Sequence, residues 1–475
     1  MATLLLLLAN LAGPAYAQPA PPTIPALFLS DIHLDPYSDP AKVAKLNAAP
    51  ASEWAAILDA PASPTQAADF AALHQSCATR GDDTTNQLFR SSLRAIHRDA
   101  AHATFVTISG DLLAHKFDCK YSTLLPKASH ADYVAFTAKT IRYIVDSLRD
   151  ALPGIPIYVS LGNNDSGCTD YALDPTHDEF LALTAKIVAE AQPEANRADV
   201  LRDFPAGGYY NVPLAGVSHT RLVVLDDLYA SGKYVTCADK PDTEPAATQL
   251  AWLQDQLAAA SAAHEHVWVM SHIPPGVDLY GSAKKLLVGM GCTRNPTMFL
   301  HSEKLAEVLT SSPGIVTLAL FGHTHSDEMR LLEPEASGAS ARDGVPLKIT
   351  ASITPINGNN PSFTLARVDP ATSTLMDYTV VMASNAAGNA STTWTPEYTY
   401  STTYHQPAFN AASLNTLIAG FQADPAGANP ASQAYLRNFF PGDASPVIHL
   451  VWPQYACSLN HDTAASFAAC SCKAQ

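Results

Sequence analysis

Six times along this 475-residue chain a short apolar run rich in Val, Ile and Leu ends at a polar or glycine-containing turn. The runs are Ala26 to Ser30, Thr104 to Ser109, Ile155 to Leu161, Arg221 to Asp226, Val267 to Ser271 and Val316 to Phe321. Continuous apolar runs of this length predict strands buried on both faces. Between them the spacing becomes helical, as in Phe89, Leu93 and Ile96, in Ile141, Ile144 and Leu148, and in Leu250, Leu253 and Leu257. Strand and helix in alternation predict an α/β fold with much parallel pairing. From about Asp327 to Met382 the strands come closer together: Met329 to Leu332, Leu347 to Ile353, Phe363 to Val368 and Leu375 to Val381. Turns such as Ser337-Gly338 and Asn357-Gly358 separate them, predicting antiparallel hairpins at one side of the sheet. The Ala- and Pro-rich stretch Pro36 to Pro64 reads as a long surface excursion, and the polar segment Asn385 to Thr393 as a boundary. Helical patterns near Ala411–Phe421 and Ser432–Phe439 follow it.

The turns after the strands carry the chemistry. Ser30-Asp31-Ile32-His33 follows the first run, Gly110-Asp111 with His115 four residues on follows the second, and Gly162-Asn163-Asn164-Asp165 the third. Ser271-His272-Ile273-Pro274-Pro275 and Gly322-His323-Thr324-His325 follow two later ones. In open α/β sheets the carboxyl edge is where ligands bind. Five strand ends thus bring Asp, His and Asn side chains to one edge, a donor set suited to a pair of divalent cations with one bridging carboxylate. D-x-H and H-x-H also place two side chains on one face of an extended segment. Any one of these motifs is weak evidence; five in order are not. Isolated histidines such as His97, His219 and His405 read as surface or satisfied core residues.

Composition narrows the class. Hydrophobic residues at 47% suffice for a sizeable core, and a net charge of −16 argues against a protein that coats nucleic-acid duplexes. That charge leaves room for a phosphate-bearing substrate, because bound metal supplies positive charge locally. No apolar run after the first dozen residues reaches the roughly 20 residues of a membrane span. Leu4 to Leu8 followed by Ala15-Tyr16-Ala17 reads as a secretory signal cleaved after Ala17, although no Lys or Arg precedes the Leu run. Eight cysteines without a CxxC pair fit disulfide staples outside the cytosol, with Cys457 joined to Cys470 or Cys472. Asn389-Ala390-Ser391 is a glycosylation sequon.

The ordered motifs resemble those of the calcineurin-like metallophosphoesterases. Phe28-Leu-Ser-Asp-Ile-His-Leu-Asp-Pro36, Phe321-Gly-His-Thr-His-Ser-Asp-Glu328, Thr354-Pro-Ile-Asn-Gly-Asn-Asn-Pro361 and the aromatic tail Trp394 to Leu414 are similar to the acid sphingomyelinase-like phosphodiesterase branch. The resemblance spans roughly residues 26 to 440. It implies an α/β four-layer sandwich of two mixed β-sheets flanked by helices, with a small helical C-terminal lobe. The expected organisation is a signal peptide over 1–17, a catalytic domain over 24–385 and a helical, cysteine-containing lobe over 386–475. The same resemblance implies two divalent ions, usually zinc in this branch, although such N/O sites also accept manganese or iron. Asp31, His33, Asp111 and His325 would hold one ion, and Asp111, Asn163, His272 and His323 the other. A hydroxide between the metals would be the nucleophile, and His115 matches a branch histidine that contacts phosphate and can protonate the leaving group.

One position departs from the pattern. Most relatives carry His where this chain has Asn164, and an amide cannot give a proton to a departing alkoxide. Either His115 serves alone, or the substrate has a leaving group that needs little protonation, such as phosphate. Endopolyphosphatases look similar at this motif. Only Gln18 to Pro25 lie between the expected cleavage site and the first strand, leaving no room for the saposin-like domain of sphingomyelinases. Bilayer sphingomyelin is therefore not the expected substrate. The sequence thus predicts a secreted or periplasmic monomer hydrolysing soluble phosphodiesters or nucleotides, with polyphosphate hydrolysis and a catalytically weak phosphate-binding module as alternatives.

Overall fold

The computed structural model describes residues 22–334, 344–385, 393–442 and 445–473. The expected signal segment, the Ser337-Gly338 turn and the Asn389 sequon lie outside them. Its early strands are β1 (Ile24–Leu29), β2 (Val106–Ser109), β3 (Ile157–Ser160), β4 (Tyr210–Pro213), β5 (Thr220–Val224), β6 (His266–Met270) and β7 (Val277–Asp278). The later ones are β8 (Thr297–Met298), β9 (Val316–Phe321), β10 (Glu328–Leu332), β11 (Val345–Ile349), β12 (Ser362–Asp369), β13 (Thr374–Ala383) and β14 (Trp394–Thr399).

They assemble into two six-stranded mixed sheets, in the orders β14-β13-β12-β1-β2-β3 and β10-β11-β9-β6-β5-β4, with β7 and β8 paired separately. In the first sheet β1, β2 and β3 run parallel. In the second, β5, β6, β9 and β11 do. The sheets meet through aromatic side chains: Trp268 on β6 packs edge-on against Phe28 of β1 at 6.1 Å and against Phe105 at 5.8 Å. Its buried indole N–H donates to the Ser373 carbonyl at 2.9 Å, which removes the cost of enclosing that donor.

Helices cover the outer faces, as the spacing predicts. The helix His130–Ala151 starts at a reciprocal Ser129/Asp132 capping box and buries Val134, Ile141, Ile144 and Leu148 along one face. The helix Asn86–Ala100 is capped by Thr85 and buries Phe89, Leu93 and Ile96. The fold is an α/β assembly of two mixed sheets flanked by helices, followed by a helical C-terminal region.

Two local expectations give way. Pro36 to Pro64 is not a surface excursion, because its short helices Val43–Ala48 and Trp54–Leu58 bury Val43, Leu46 and Trp54. Its Ala- and Pro-rich composition hides these three and a fourth buried large side chain, Tyr37. The closely spaced strands also do not form one group. β10 and β11 pair at the edge of the second sheet, whereas β12 and β13 extend the first. Alternation specifies a local hairpin but not which of two apolar sheets it joins.

The C-terminal helices close the β10 edge. Leu331 and Asp327 donate their backbone N–H groups to the carbonyls of Leu459 and Phe439 at 2.8 and 2.9 Å, so the edge strand is capped by chain rather than left open. Beyond residue 386, β14 still pairs with β13 of the first sheet. All eight cysteines are joined, as Cys77–Cys119, Cys168–Cys237, Cys292–Cys472 and Cys457–Cys470. Among the described residues no helix is long and apolar enough to cross a membrane.

Candidate active site

The carboxyl ends of β1, β2, β3, β6 and β9 converge where the two sheets abut. Backbone bonds tie the turns together: Asp31 N–H donates to Gly110 O and His33 N–H to Asp111 O, both at 3.0 Å. Across the sheets, His323 N–H donates to Asp31 Oδ2 at 3.0 Å, and within the second sheet Gly322 N–H donates to His272 O at 3.0 Å. Asp31, His33, Asp111, His323 and His325 all have left-handed backbones, with φ of 48°, 44°, 54°, 72° and 62°. For a residue with a side chain that conformation costs about 1–2 kcal/mol, and strain of this kind gathers at functional sites. Two neighbouring glycines are required sterically. A Cβ on Gly162 would collide with Asp111, and one on Gly322 with Ser30 and Asp31.

The structure brings all seven residues of the sequence-derived ligand set into one web, six of them buried and His323 part-buried. Asp111 Oδ2 lies 3.3 Å from His33 Nε2 and 3.1 Å from His272 Nε2. On one side, Asp31 Oδ1 is 3.3 Å from His325 Nε2 and 3.7 Å from His33 Nε2. On the other, His272 Nε2 is 3.2 Å from Asn163 Oδ1 and 3.3 Å from His323 Nδ1. Asp111 is thus the member common to both halves.

The donor chemistry fits metal. His33 Nδ1 donates to Leu113 O at 2.8 Å and His272 Nδ1 to Ser109 O at 2.7 Å. A carbonyl only accepts, so Nδ1 carries the proton in each ring and Nε2 is the atom turned toward the carboxylates. His33 Nε2 and His325 Nδ1 are buried with no hydrogen-bond partner. Imidazole nitrogens and carboxylate oxygens packed this closely are mutually repulsive unless a cation sits among them. Protons are the only alternative cation. Burial works against charge on His33 and His272, yet Asp111 and Asp31 outweigh it and lift them to about 9 and about 10. Burial and the neighbouring His272 push His323 down to about 3. Asp31 and Asp111 are held low by the surrounding histidines despite their burial. Away from this web, Cys168, His177, Asp178 and Cys237 also lie close together, but both sulfurs are committed to a disulfide.

His115 and Asn164 take different places. The His115 ring stacks on His33 with centroids 4.2 Å apart, and it is only part-buried. Asn164 faces the shared carboxylate instead: its N–H donates to Asp111 Oδ1 and its Nδ2 to Oδ2, both at 2.9 Å.

Several residues outside the ligand set support it, and of these only Asp165 stands in a strand-end motif. Asp83 accepts from the His115 backbone N–H at 2.8 Å and from its ring Nδ1 at 2.9 Å. Burial opposes charge on Asp83, but His115, Lys120 and His33 hold its carboxyl well below the usual range. Asp165 accepts backbone N–H groups from Leu112, Leu113 and Gly162 at 2.9–3.0 Å and so clamps the β2 and β3 turns together. Burial and the nearby Asp111 carboxylate push Asp165 up to about 7. Tyr171 Oη lies 3.5 Å from His323 Nε2, with Lys233 above its ring at 4.6 Å. Phe299 meets the other flank of His323 at 5.8 Å.

A family model described as calcineurin-like phosphoesterase matches residues 24–327. The human acid sphingomyelinase-like phosphodiesterase 3b is 28% identical over 357 residues, covering 71% of this chain and 69% of that protein. The cyclic GMP-AMP phosphodiesterase SMPDL3A of Mus musculus is 24% identical over 356 residues, covering 71% of each. A sphingomyelinase phosphodiesterase D of Dictyostelium discoideum is 26% identical over 345 residues, covering 71% of this chain and 70% of its own.

Proposed function

Since this chain belongs to the calcineurin-like phosphoesterases, we propose that it is a secreted two-metal hydrolase of soluble phosphodiesters or nucleotides. That it is a metal-dependent phosphoric ester hydrolase follows from the family match and the phosphodiesterase relatives. The family is dinuclear and metal-dependent, and this chain holds matching residue groups. In the finer reading Asp31, His33, Asp111 and His325 hold one ion, zinc in the first instance. Asp111, Asn163, His272 and His323 hold the second. The single observation that carries it is Asp111 Oδ2 lying between His33 Nε2 at 3.3 Å and His272 Nε2 at 3.1 Å. Bound divalent ions supply Lewis acidity at a phosphoryl group and lower the pKa of water.

The protein's own groups divide the remaining work. Leu113 and Ser109 carbonyls fix the rings of His33 and His272, so both present Nε2 without rotating. Asn164 donates twice to Asp111 and keeps that carboxylate from turning away. Asp83 accepts a hydrogen bond from His115 Nδ1–H, which leaves Nε2 of that ring as the atom for proton transfer to a leaving oxygen. Tyr171 and Phe299 flank His323 and offer flat apolar faces to a base or aryl group. The mouse relative is named for a cyclic dinucleotide, which falls in the same substrate class. Four disulfides accord with an extracellular or periplasmic setting.

The test pairs metal analysis with turnover. Purified protein should carry about two divalent ions per chain and cleave a bis-nitrophenyl phosphodiester. Asp111→Asn should lose metal and at least about 10³-fold in kcat, some 4 kcal/mol of transition-state stabilisation, with unchanged circular dichroism. Unaltered activity would remove Asp111 from the bridging position. A second reading, phosphoanhydride hydrolysis, draws on Asn164, whose amide is committed to Asp111 and has no proton to give. Activity on polyphosphate alone would favour it.

A further inference from the structure

Among the described residues six large apolar side chains stand out in solvent, and five of them crowd into one region. They are Tyr280 at 41% exposure, Leu287 at 59%, Val288 at 79%, Met290 at 83% and Leu450 at 70%. They belong to two touching helices, Leu279–Val288 and Pro446–Leu450, and to the turn after the first. Tyr280 Oη and Ser445 Oγ join the helices by a hydrogen bond. The first helix already buries an inner face of Leu279, Ser282 and Leu286. At 100° per residue, Tyr280, Lys284, Leu287 and Val288 fall on the opposite face. A helix apolar on both faces is one whose outer face has a covering partner.

This face is held in shape. Cys292 is joined to Cys472, β7 pairs with β8, and Lys285 Nζ bonds to Asn295 O at 3.1 Å. Charge distinguishes the partner. From Tyr280 to Leu300 the chain has Lys284, Lys285 and Arg294 and no Asp or Glu, within a molecule of net charge −16. All three cations are exposed. A second copy bound by two-fold symmetry would bring the same cationic patch of both copies into one interface, with no Asp or Glu from this segment to offset it. Five side chains also fall short of the roughly 20–30 residues a side of a standard protein interface.

We propose that this face docks the protein onto an anionic lipid surface. Leu287, Val288, Met290 and Leu450 enter the acyl boundary, Tyr280 lies at headgroup level, and Lys284 and Arg294 meet the anionic headgroups. The same segment continues through β8 to Phe299, whose ring lies 5.8 Å from His323 of the candidate active site. Docking differs from extracting a lipid and needs no separate lipid-extracting domain.

The experiment is co-sedimentation of the full chain with vesicles of phosphatidylcholine alone or mixed with phosphatidylserine. Wild type should bind the mixed vesicles, weakly bind the neutral ones, and release with added salt. Leu287→Ser with Val288→Ser should weaken partition by about tenfold or more, and Lys284→Glu or Arg294→Glu by about fivefold or more each. All these variants should keep wild-type thermal unfolding and turnover of a soluble substrate. Absence of wild-type binding, or equal binding by every variant, overturns the proposal. So does a concentration-dependent dimer that Leu287→Ser with Val288→Ser dissolves, since a second copy would then be the cover. Vesicle binding is read without catalysis, so failure of the hydrolase reading leaves this result interpretable.

Discussion

Replacing Asp83 by Asn removes one negative charge behind His115 while keeping the size of the side chain. The carboxylate accepts from the His115 backbone N–H at 2.8 Å, from the ring Nδ1 at 2.9 Å and from Thr354 Oγ1 at 3.2 Å. An amide offers one accepting oxygen in place of two, so one buried donor loses its partner at a cost of about 1–3 kcal/mol. Lys120, 3.8 Å from Asp83, keeps its shorter bond to Asp35 at 2.7 Å, so no cation is stranded and folding survives. The kinetic effect is larger than the structural one. The ring is no longer held with its proton on Nδ1, and general acid catalysis is worth about 10²–10⁴-fold where the leaving group needs a proton. Asp83→Asn is therefore expected to lower kcat about 10²-fold on a phosphodiester with an alcohol leaving group and only a few-fold on a nitrophenyl one. KM should change little for either. His115→Ala should reproduce this selectivity. Equal losses on both substrates would mean that His115 only positions phosphate, and an unchanged kcat on the alcohol ester would refute the assigned proton path.

Other outcomes follow from the same geometry. Asn164→His should raise activity on alcohol leaving groups by about tenfold or more if a second acid is what the site lacks; absence of any gain would show that anchoring Asp111 matters more. Replacing Cys292 and Cys472 by Ser opens a link across 180 residues and should lower stability by about 2–5 kcal/mol, read by thermal or denaturant unfolding. Glu397 accepts the Gly442 N–H at 2.6 Å, and burial with the nearby Asp327 carboxylate lifts it from 4.5 to about 8. The native state then holds a proton that the unfolded chain has lost, so this group's contribution falls as pH rises from about 4.5 to about 8. Partial solvent access reduces the effect to about 1–2 kcal/mol. Glu397→Gln should flatten the decline, and an unaltered pH–stability curve would contradict it.

The sequence by itself determined the strands and the side chains at their ends. Period and turn chemistry are local properties, so Asp31, His33, Asp111, Asn163, His272, His323 and His325 were legible as members of one edge before any coordinates. Phe89, Leu93 and Ile96 likewise marked the inner face of a helix by spacing alone. What needed the tertiary structure was everything set by packing between distant segments. Nothing around Asp83 in sequence points to His115, because the contact closes across 32 residues and depends on a buried pocket shared with Lys120 and Thr354. Asn164 was readable as a departure, but its two bonds to Asp111 were not, since an amide's partner is chosen by geometry rather than by residue type. The division of the late strands between two sheets, and the burial of Trp54 in an Ala- and Pro-rich stretch, were decided by which apolar surfaces remained to be covered. Local pattern states that a face is apolar; only the assembled molecule states what lies against it.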